Sequence, residues 1–134
     1  MPSIAAGSIK ALELVSQSKD LIEKLKKNTE HFRTQMAQIG FEIKPGYAIA
    51  PVMLYNAKLA QDMAAELYDE GIYVIGFSFP VVPKGQARIR VQLSAAHEPE
   101  HINRCIAAFQ KVGEKYGVLG LKKKEILAKY PEAK

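Results

Sequence analysis

Apolar positions recur along the chain with two different periods, and these periods predict its elements. Spacings of three and four residues in the regions 4–15, 21–39, 59–67 and 102–112 predict amphipathic helices. Ser3 is expected to cap the first helix and Asn56 the third, because both side chains can accept a backbone N–H. Gly40 and Gly117 follow apolar stripes, so they are expected to end the second and fourth helices.

Shorter apolar or alternating segments between these helices predict strands. Residues 47–55, YAIAPVMLY, form a continuous apolar run typical of a largely buried strand, in which Pro51 indicates an edge or a bulge. The segment IYVIGF is rich in β-branched and aromatic residues. From Ala87 to Leu93 apolar and polar residues alternate. The order of elements predicts an α+β fold, a small antiparallel or mixed sheet with helices on one face.

The alternation in the last strand places Arg88, Arg90 and Gln92 on the face opposite the helices. An ordinary solvent-facing surface explains this pattern as well as a binding site does. In favour of a site, a planar guanidinium donates two parallel, charge-assisted hydrogen bonds to a carboxylate, and a strand holds it rigidly. The Pro/Gly-rich loop at residues 80–86 would be the mobile element beside such a site.

Other side chains that could carry chemistry have simpler interpretations. Lys84 lies in the loop, where a solvated lysine is more common than a Schiff-base lysine, which needs a desolvated site. His97, at a strand-to-helix corner, is a possible general base, but a structural role fits better because no partner carboxylate or nucleophile is obvious nearby. Cys105 is expected to be a core or boundary thiol, and His31 and His101 to be surface residues.

Composition and charge narrow the classes of function. The 134 residues and the hydrophobic fraction of 48% suffice for one packed domain, and a single cysteine excludes an intrachain disulfide. The net charge is +5, but the lysines are mostly dispersed without interleaved aromatic residues, so no nucleic-acid partner is expected. No apolar run approaches the roughly 20 residues that cross a membrane, and no secretory signal is recognisable, which predicts a soluble, intracellular protein. Metal, phosphate and nucleophile motifs are absent, so no metal site and no complete catalytic constellation are expected.

The stretch GFSFPVVPKGQARIRVQLSAAH, with SIKALELV, IAPVML and EGIYVIGF upstream, resembles the C-terminal domain of the α-oxoamine synthases. The resemblance covers about residues 2–119 and implies the C-terminal domain of the aspartate-aminotransferase fold. It implies pyridoxal 5′-phosphate (PLP) as the cofactor of the whole enzyme, and it is greatest toward members that condense glycine with acetyl-coenzyme A to 2-amino-3-ketobutyrate. Members that make 8-amino-7-oxononanoate or 5-aminolevulinate share a shorter skeleton and are the alternative, together with a stand-alone carboxylate-binding module.

The same resemblance implies site residues. Arg90 matches the family arginine that holds the amino-acid carboxylate, and the loop at residues 81–85 matches the segment lining the substrate entrance, where Val82 and Pro83 would shape the acyl pocket. The Schiff-base lysine and most cofactor contacts belong to motifs that precede this domain in the family, and Lys84 does not match that lysine. We therefore expect a fragment, inactive by itself, that lacks the large N-terminal domain of a homodimeric enzyme of the cytoplasm or mitochondrial matrix.

The last residues are expected to form a separate segment. Residues 1–118 are predicted to be the small domain, and residues 119–134 a C-terminal tail that exceeds the usual end of the family. Within the tail, residues 121–130 carry a weak amphipathic pattern, which predicts either a short helix or a frayed end. The sequence predicts no function for the tail.

Overall fold

The computed structural model describes residues 1–131. The elements are α1 (Pro2–Gln17), α2 (Lys19–Gln38), β1 (Ile49–Tyr55), α3 (Ala57–Asp69), β2 (Ile75–Phe77), β3 (Ala87–Gln92), α4 (Pro99–Tyr116) and α5 (Lys123–Lys129). The predicted cap at Ser3 is wrong, because α1 begins two residues earlier than that cap implies, with Met1 at the cap position and Pro2 in the first turn. A proline suits that place, since its missing N–H would be unpaired there anyway.

The three strands form one antiparallel sheet in the order β1-β3-β2. The alternating strand β3 therefore lies in the centre, and β1, which contains Pro51, is an edge strand with a register shift between Met53 and Tyr55. Of the two alternatives that Pro51 indicated, the edge is the one present at this residue, because Pro51 pairs in regular register with Arg90. In this register Arg90 stands between Pro51 on β1 and Ile75 on β2.

The hydrophobic core lies on one face of the sheet. The residues of the central strand region that alternate with the arginines are 0–6% exposed, namely Ala87, Ile89, Val91 and Leu93. Helix α3 packs on all three strands, and α4 packs against α2 and α3. The ring of Phe109 on α4 meets Phe32 and Phe41 edge to face, with centroid distances of 6.4 and 5.8 Å. The predicted α+β fold, with its helices on one face of a small sheet, is confirmed.

Helix α1 differs from the others because none of its residues is buried. Its large apolar side chains are exposed, namely Ile4, Ile9, Leu12, Leu14 and Val15. Among residues 1–131, no helix has the length and apolar character needed to cross a membrane. The apolar stripe that predicts α1 therefore corresponds to an uncovered surface rather than to a part of the core.

The segment after α4 packs against the rest of the domain. Val118 is buried, the amide of Gly120 donates to the carbonyl of Gly40 at 2.9 Å, and Ile126 on α5 is 2% exposed. The Oη of Tyr130 donates to the carbonyl of Tyr116 at 2.7 Å. A short helix, rather than a frayed end, thus follows residue 122, while the domain boundary at residue 118 stays a prediction.

Candidate carboxylate-binding site

The face of the sheet opposite the main core carries Arg88 and Arg90 on the central strand. Side chains that pair directly across an antiparallel ladder point to the same face, so Arg88 and Arg90 share their face with their ladder partners. For Arg90 these are Pro51 and Ile75, and for Arg88 one of them is Phe77. Arg90 is exposed and Arg88 is half-buried. The face is therefore positively charged on a largely apolar background.

The loop after β2 contributes Val81 and Val82 to an open, shallow depression of about 290 Å³ on this face. Its lining consists of two guanidinium groups and apolar side chains, namely Ile49, Pro51, Phe77, Val81, Val82, Arg88 and Arg90. None of its apolar side chains can form a hydrogen bond, so the two guanidinium groups supply the side-chain donors that line the depression. The depression therefore suits a small ligand that carries a carboxylate.

The two arginines differ in how their donors are used. Arg88 donates from Nε to the carbonyl of Gln86 at 3.1 Å and from Nη2 to its side-chain oxygen at 3.4 Å. Within residues 1–131, the Arg90 guanidinium makes no hydrogen bond and no ion pair, and its Cζ lies 5.6 Å from the ring centroid of Phe77. Arg90 is therefore the arginine whose guanidinium N–H groups are available to donate to a carboxylate.

The structure separates the two loop residues predicted to shape the acyl pocket. Val82 is half-buried and lines the depression together with Arg90. Pro83 is exposed and lines a different groove, of about 510 Å³, with Lys84, Tyr116 and Tyr130. The predicted set thus comes together only for Arg90 and Val82, and the roles of all three residues remain predictions.

A half-buried arginine outside the predicted site holds the segment that leads into β1. Arg33 on α2 donates from Nη1 to the carbonyl of Lys44 at 2.7 Å and from Nη2 to the carbonyls of Tyr47 and Ile49 at 3.1 and 2.8 Å. Desolvation by burial lowers the pKa of this guanidinium. These three hydrogen bonds, called here the Arg33 clamp, fix Ile49, which forms one wall of the depression. The helical pattern of α2 did not distinguish Arg33 from its polar neighbours.

The residues present do not form an anchor for PLP. A lysine that forms a Schiff base is normally held in a desolvated site, whereas no lysine among residues 1–131 is buried. Lys84 in particular is exposed, and its Nζ lies 5.8 Å from the ring centroid of Phe79. No chemical step through the cofactor is therefore assigned to side chains of this chain.

The histidine and cysteine candidates have structural surroundings. The Nδ1 of His97 accepts the backbone N–H of Ser94 at 3.2 Å, and its carbonyl accepts from Asn28 Nδ2 at 2.9 Å, which fixes the corner between β3 and α4. The Nδ1 of His101 accepts the backbone N–H of Glu98 at the start of α4. Burial raises the pKa of the Cys105 thiol to about 12, so little reactive thiolate forms at neutral pH.

The fold and the site define the class of protein. Residues 1–109 match the family model described as aminotransferase class I and II. Because this match spans most of the chain, the chain belongs to that family. The resemblance to the C-terminal part of such enzymes is thereby supported by a match over residues 1–109 and not only by one motif.

Individual relatives refine this assignment. The chain is 52% identical over 119 residues to 2-amino-3-ketobutyrate coenzyme A ligase of Escherichia coli K12, covering 88% of this chain and 30% of the relative. The human mitochondrial 2-amino-3-ketobutyrate coenzyme A ligase is 46% identical over 119 residues, with 88% and 28% covered. The 8-amino-7-oxononanoate synthase of Fervidobacterium nodosum is 36% identical, with 88% and 30% covered. The predicted resemblance is confirmed, and the chain spans about 30% of the length of the curated relatives it matches.

Solved structures show the same fold. A high-resolution structure of SPT (serine palmitoyltransferase) with PLP superposes on this chain with a TM-score of 0.82 at 27% identity. The match covers 88% of this chain and 30% of the serine palmitoyltransferase chain. The 8-amino-7-oxononanoate synthase of Francisella tularensis gives a TM-score of 0.70 at 21% identity, with 82% and 32% covered. The small sheet and its helices therefore occur as part of larger proteins, and the SPT structure among them contains PLP.

Proposed function

We propose that this chain is the C-terminal domain of a PLP-dependent acyltransferase that condenses glycine with acetyl-coenzyme A to 2-amino-3-ketobutyrate, with release of coenzyme A. The names of the relatives at 45–52% identity contain 2-amino-3-ketobutyrate and coenzyme A, which supports this product and this acyl carrier. PLP supplies an electron sink for the reaction at the glycine α-carbon. The lysine that holds the cofactor lies in the domain that precedes this one in the relatives' fold, and the assembled enzyme is proposed to be a homodimer.

The observation that carries the proposal is the available fork of Arg90 on a rigid central strand. The substrate glycine has a carboxylate that must be held in one orientation while its α-carbon reacts, and a bidentate guanidinium fixes such an orientation. Arg90 binds that carboxylate, and Arg88 adds positive charge to the same face. Val82 and Pro83 line the route by which the acyl group enters.

A chimera with the E. coli relative tests the proposal. This chain replaces the matched 30% of the E. coli protein, and coenzyme A release is followed with glycine and acetyl-coenzyme A. Arg90→Ala removes a bidentate charged contact, which should lower kcat/KM for glycine by about 30- to 1000-fold, equivalent to about 2–4 kcal/mol. Arg90→Lys should also be impaired, because an ammonium cannot reproduce the fork.

A matched control separates this effect from a general loss of charge. Arg104 on α4 is exposed and donates to the carbonyl of Glu70 at 3.3 Å, away from the depression. Arg104→Ala should therefore leave kcat/KM for glycine within about twofold of the unmodified chimera. An Arg90→Ala chimera that keeps its full kcat/KM for glycine removes the assignment.

A second candidate uses a longer acyl-coenzyme A. The 36% identical 8-amino-7-oxononanoate synthase and the serine palmitoyltransferase structures support it, because their names indicate a larger product or a longer acyl group. Acyl-chain profiling of the chimera discriminates the two, since the first proposal requires the highest kcat/KM with the acetyl group. Glycine or acetate binding by the chain alone, abolished by Arg90→Ala, would instead favour a stand-alone carboxylate-binding module.

A further inference from the structure

Phe77 lies beside Arg90 through the register of the central ladder. Phe77 pairs with Arg88, whereas Arg90 pairs with Ile75 two residues earlier on β2. Phe77 and Arg90 are therefore diagonal neighbours on one face, a separation that an aromatic ring and a long side chain can bridge. The Cζ of Arg90 lies over the Phe77 ring, 5.6 Å from its centroid. This distance is inside the range of about 6 Å for a cation–π interaction.

The contact with a ring leaves the hydrogen-bonding capacity of Arg90 intact. A ring attracts the guanidinium through its quadrupole and does not neutralise the charge, whereas an internal carboxylate would do so and would also occupy the fork. Arg88 illustrates the other case, because its Nε and Nη2 already donate to Gln86. Among residues 1–131, no acidic side chain lies within ion-pair distance of Arg90.

An exposed arginine normally loses rotamer freedom when it binds a ligand, and that loss weakens the binding. A ring that already restrains the guanidinium reduces the loss. We infer that Phe77 is a positioning residue that holds the Arg90 guanidinium over the sheet with its donors available for a small carboxylate. The inference rests on the proposed role of Arg90 for its effect on substrate binding, but the contact itself can be measured without any activity.

The first measurement uses the 134-residue chain alone. In an NMR spectrum of the isotopically labelled protein, Arg90 side-chain protons should show nuclear Overhauser effects to the Phe77 ring and an upfield ring-current displacement. Phe77→Leu should abolish the displacement and Phe77→Tyr should retain it. Phe79→Leu is the matched control, because Phe79 is an exposed phenylalanine two residues after Phe77 whose ring lies near Lys84 and not near Arg90. Absence of the Overhauser effects in the unsubstituted chain overturns the inference.

The second measurement uses the chimera. Phe77→Leu should raise the KM for glycine about two- to fivefold while kcat changes by less than about twofold, and Phe77→Tyr should restore the KM. Phe79→Leu should leave the glycine KM unchanged. An unchanged KM in Phe77→Leu, alongside a strong effect of Arg90→Ala, overturns the positioning role but preserves the proposed function. An unchanged KM in Arg90→Ala overturns the proposed function, whatever the NMR contact shows.

Discussion

Asn56 connects two parts of the domain through one nearly buried side chain, which is 4% exposed. Its Oδ1 accepts the backbone N–H of Leu59 at 2.8 Å and so caps α3. Its Nδ2 donates to the carbonyls of Tyr130 and Pro131 at 3.0 and 3.3 Å. Asn56→Ala should therefore weaken both the start of α3 and the attachment of the segment after α5.

The expected magnitude follows from these contacts. Loss of a cap costs about 1 kcal/mol, and loss of the amide donor costs about 0.5–1.5 kcal/mol more. The second figure stays low because Pro131 is exposed, so the freed carbonyls can bind water. The free energy of unfolding should fall by about 1.5–2.5 kcal/mol, which for a domain of this size lowers Tm by about 5–12 °C.

Urea and thermal denaturation of the 134-residue chain provide the assay. Asn56→Ser separates the two contributions, because its hydroxyl oxygen can still cap α3 while the amide donor to the carbonyls of Tyr130 and Pro131 is lost, so it should cost less than Asn56→Ala. Gln61→Ala, at an exposed position of α3 whose side chain makes no hydrogen bond within residues 1–131, is the control and should change the free energy of unfolding by less than about 0.5 kcal/mol. The reasoning is refuted if Asn56→Ala is as stable as Gln61→Ala, or if Asn56→Ser is as destabilised as Asn56→Ala.

Further predictions concern reactivity, pH and local stability. Because burial raises the pKa of Cys105 to about 12, its reaction with a thiol reagent at pH 8 should be much slower in the folded chain than in urea, and equal rates would contradict the burial. Hydrogen bonds from Lys115 and Tyr116 lower the pKa of Glu66 below 4.5, so its contribution to stability is present above that pH and is lost as the pH falls. Glu66→Gln should therefore reduce the loss of stability on acidification in urea titrations, and an unchanged acid profile would contradict this. Helix α1, which has no buried residue, should exchange its amide hydrogens faster than α4, and equal protection would contradict the structure.

The elements that the sequence predicted well depend on local physics. The alternation of β3 and the bounds of α4 at Pro99 and Gly117 follow from side-chain periodicity and from backbone preferences of single residues. The cap at Asn56 is equally local, because donor and acceptor are three residues apart. Such signals are readable without knowing what packs against them.

The features of the candidate site that the sequence did not predict depend on contacts between distant segments. Phe77 and Arg90 are neighbours only in one register of the β2–β3 ladder. Val82 and Pro83 line different pockets because of the path that the loop takes. The clamp formed by Arg33 joins a helix to carbonyls 11–16 residues away. The sequence pattern contains no register or loop path, so it indicated the charged face but not its walls.

The most direct test of the central claim compares glycine with glycinamide, which replaces the carboxylate by a neutral amide, in the chimera with and without Arg90→Ala. If Arg90 holds the carboxylate, the substitution should reduce kcat/KM for glycine at least about 30-fold more than for glycinamide, a coupling of about 2 kcal/mol. Equal losses with the two substrates would show that Arg90 does not contact the carboxylate and would contradict the account.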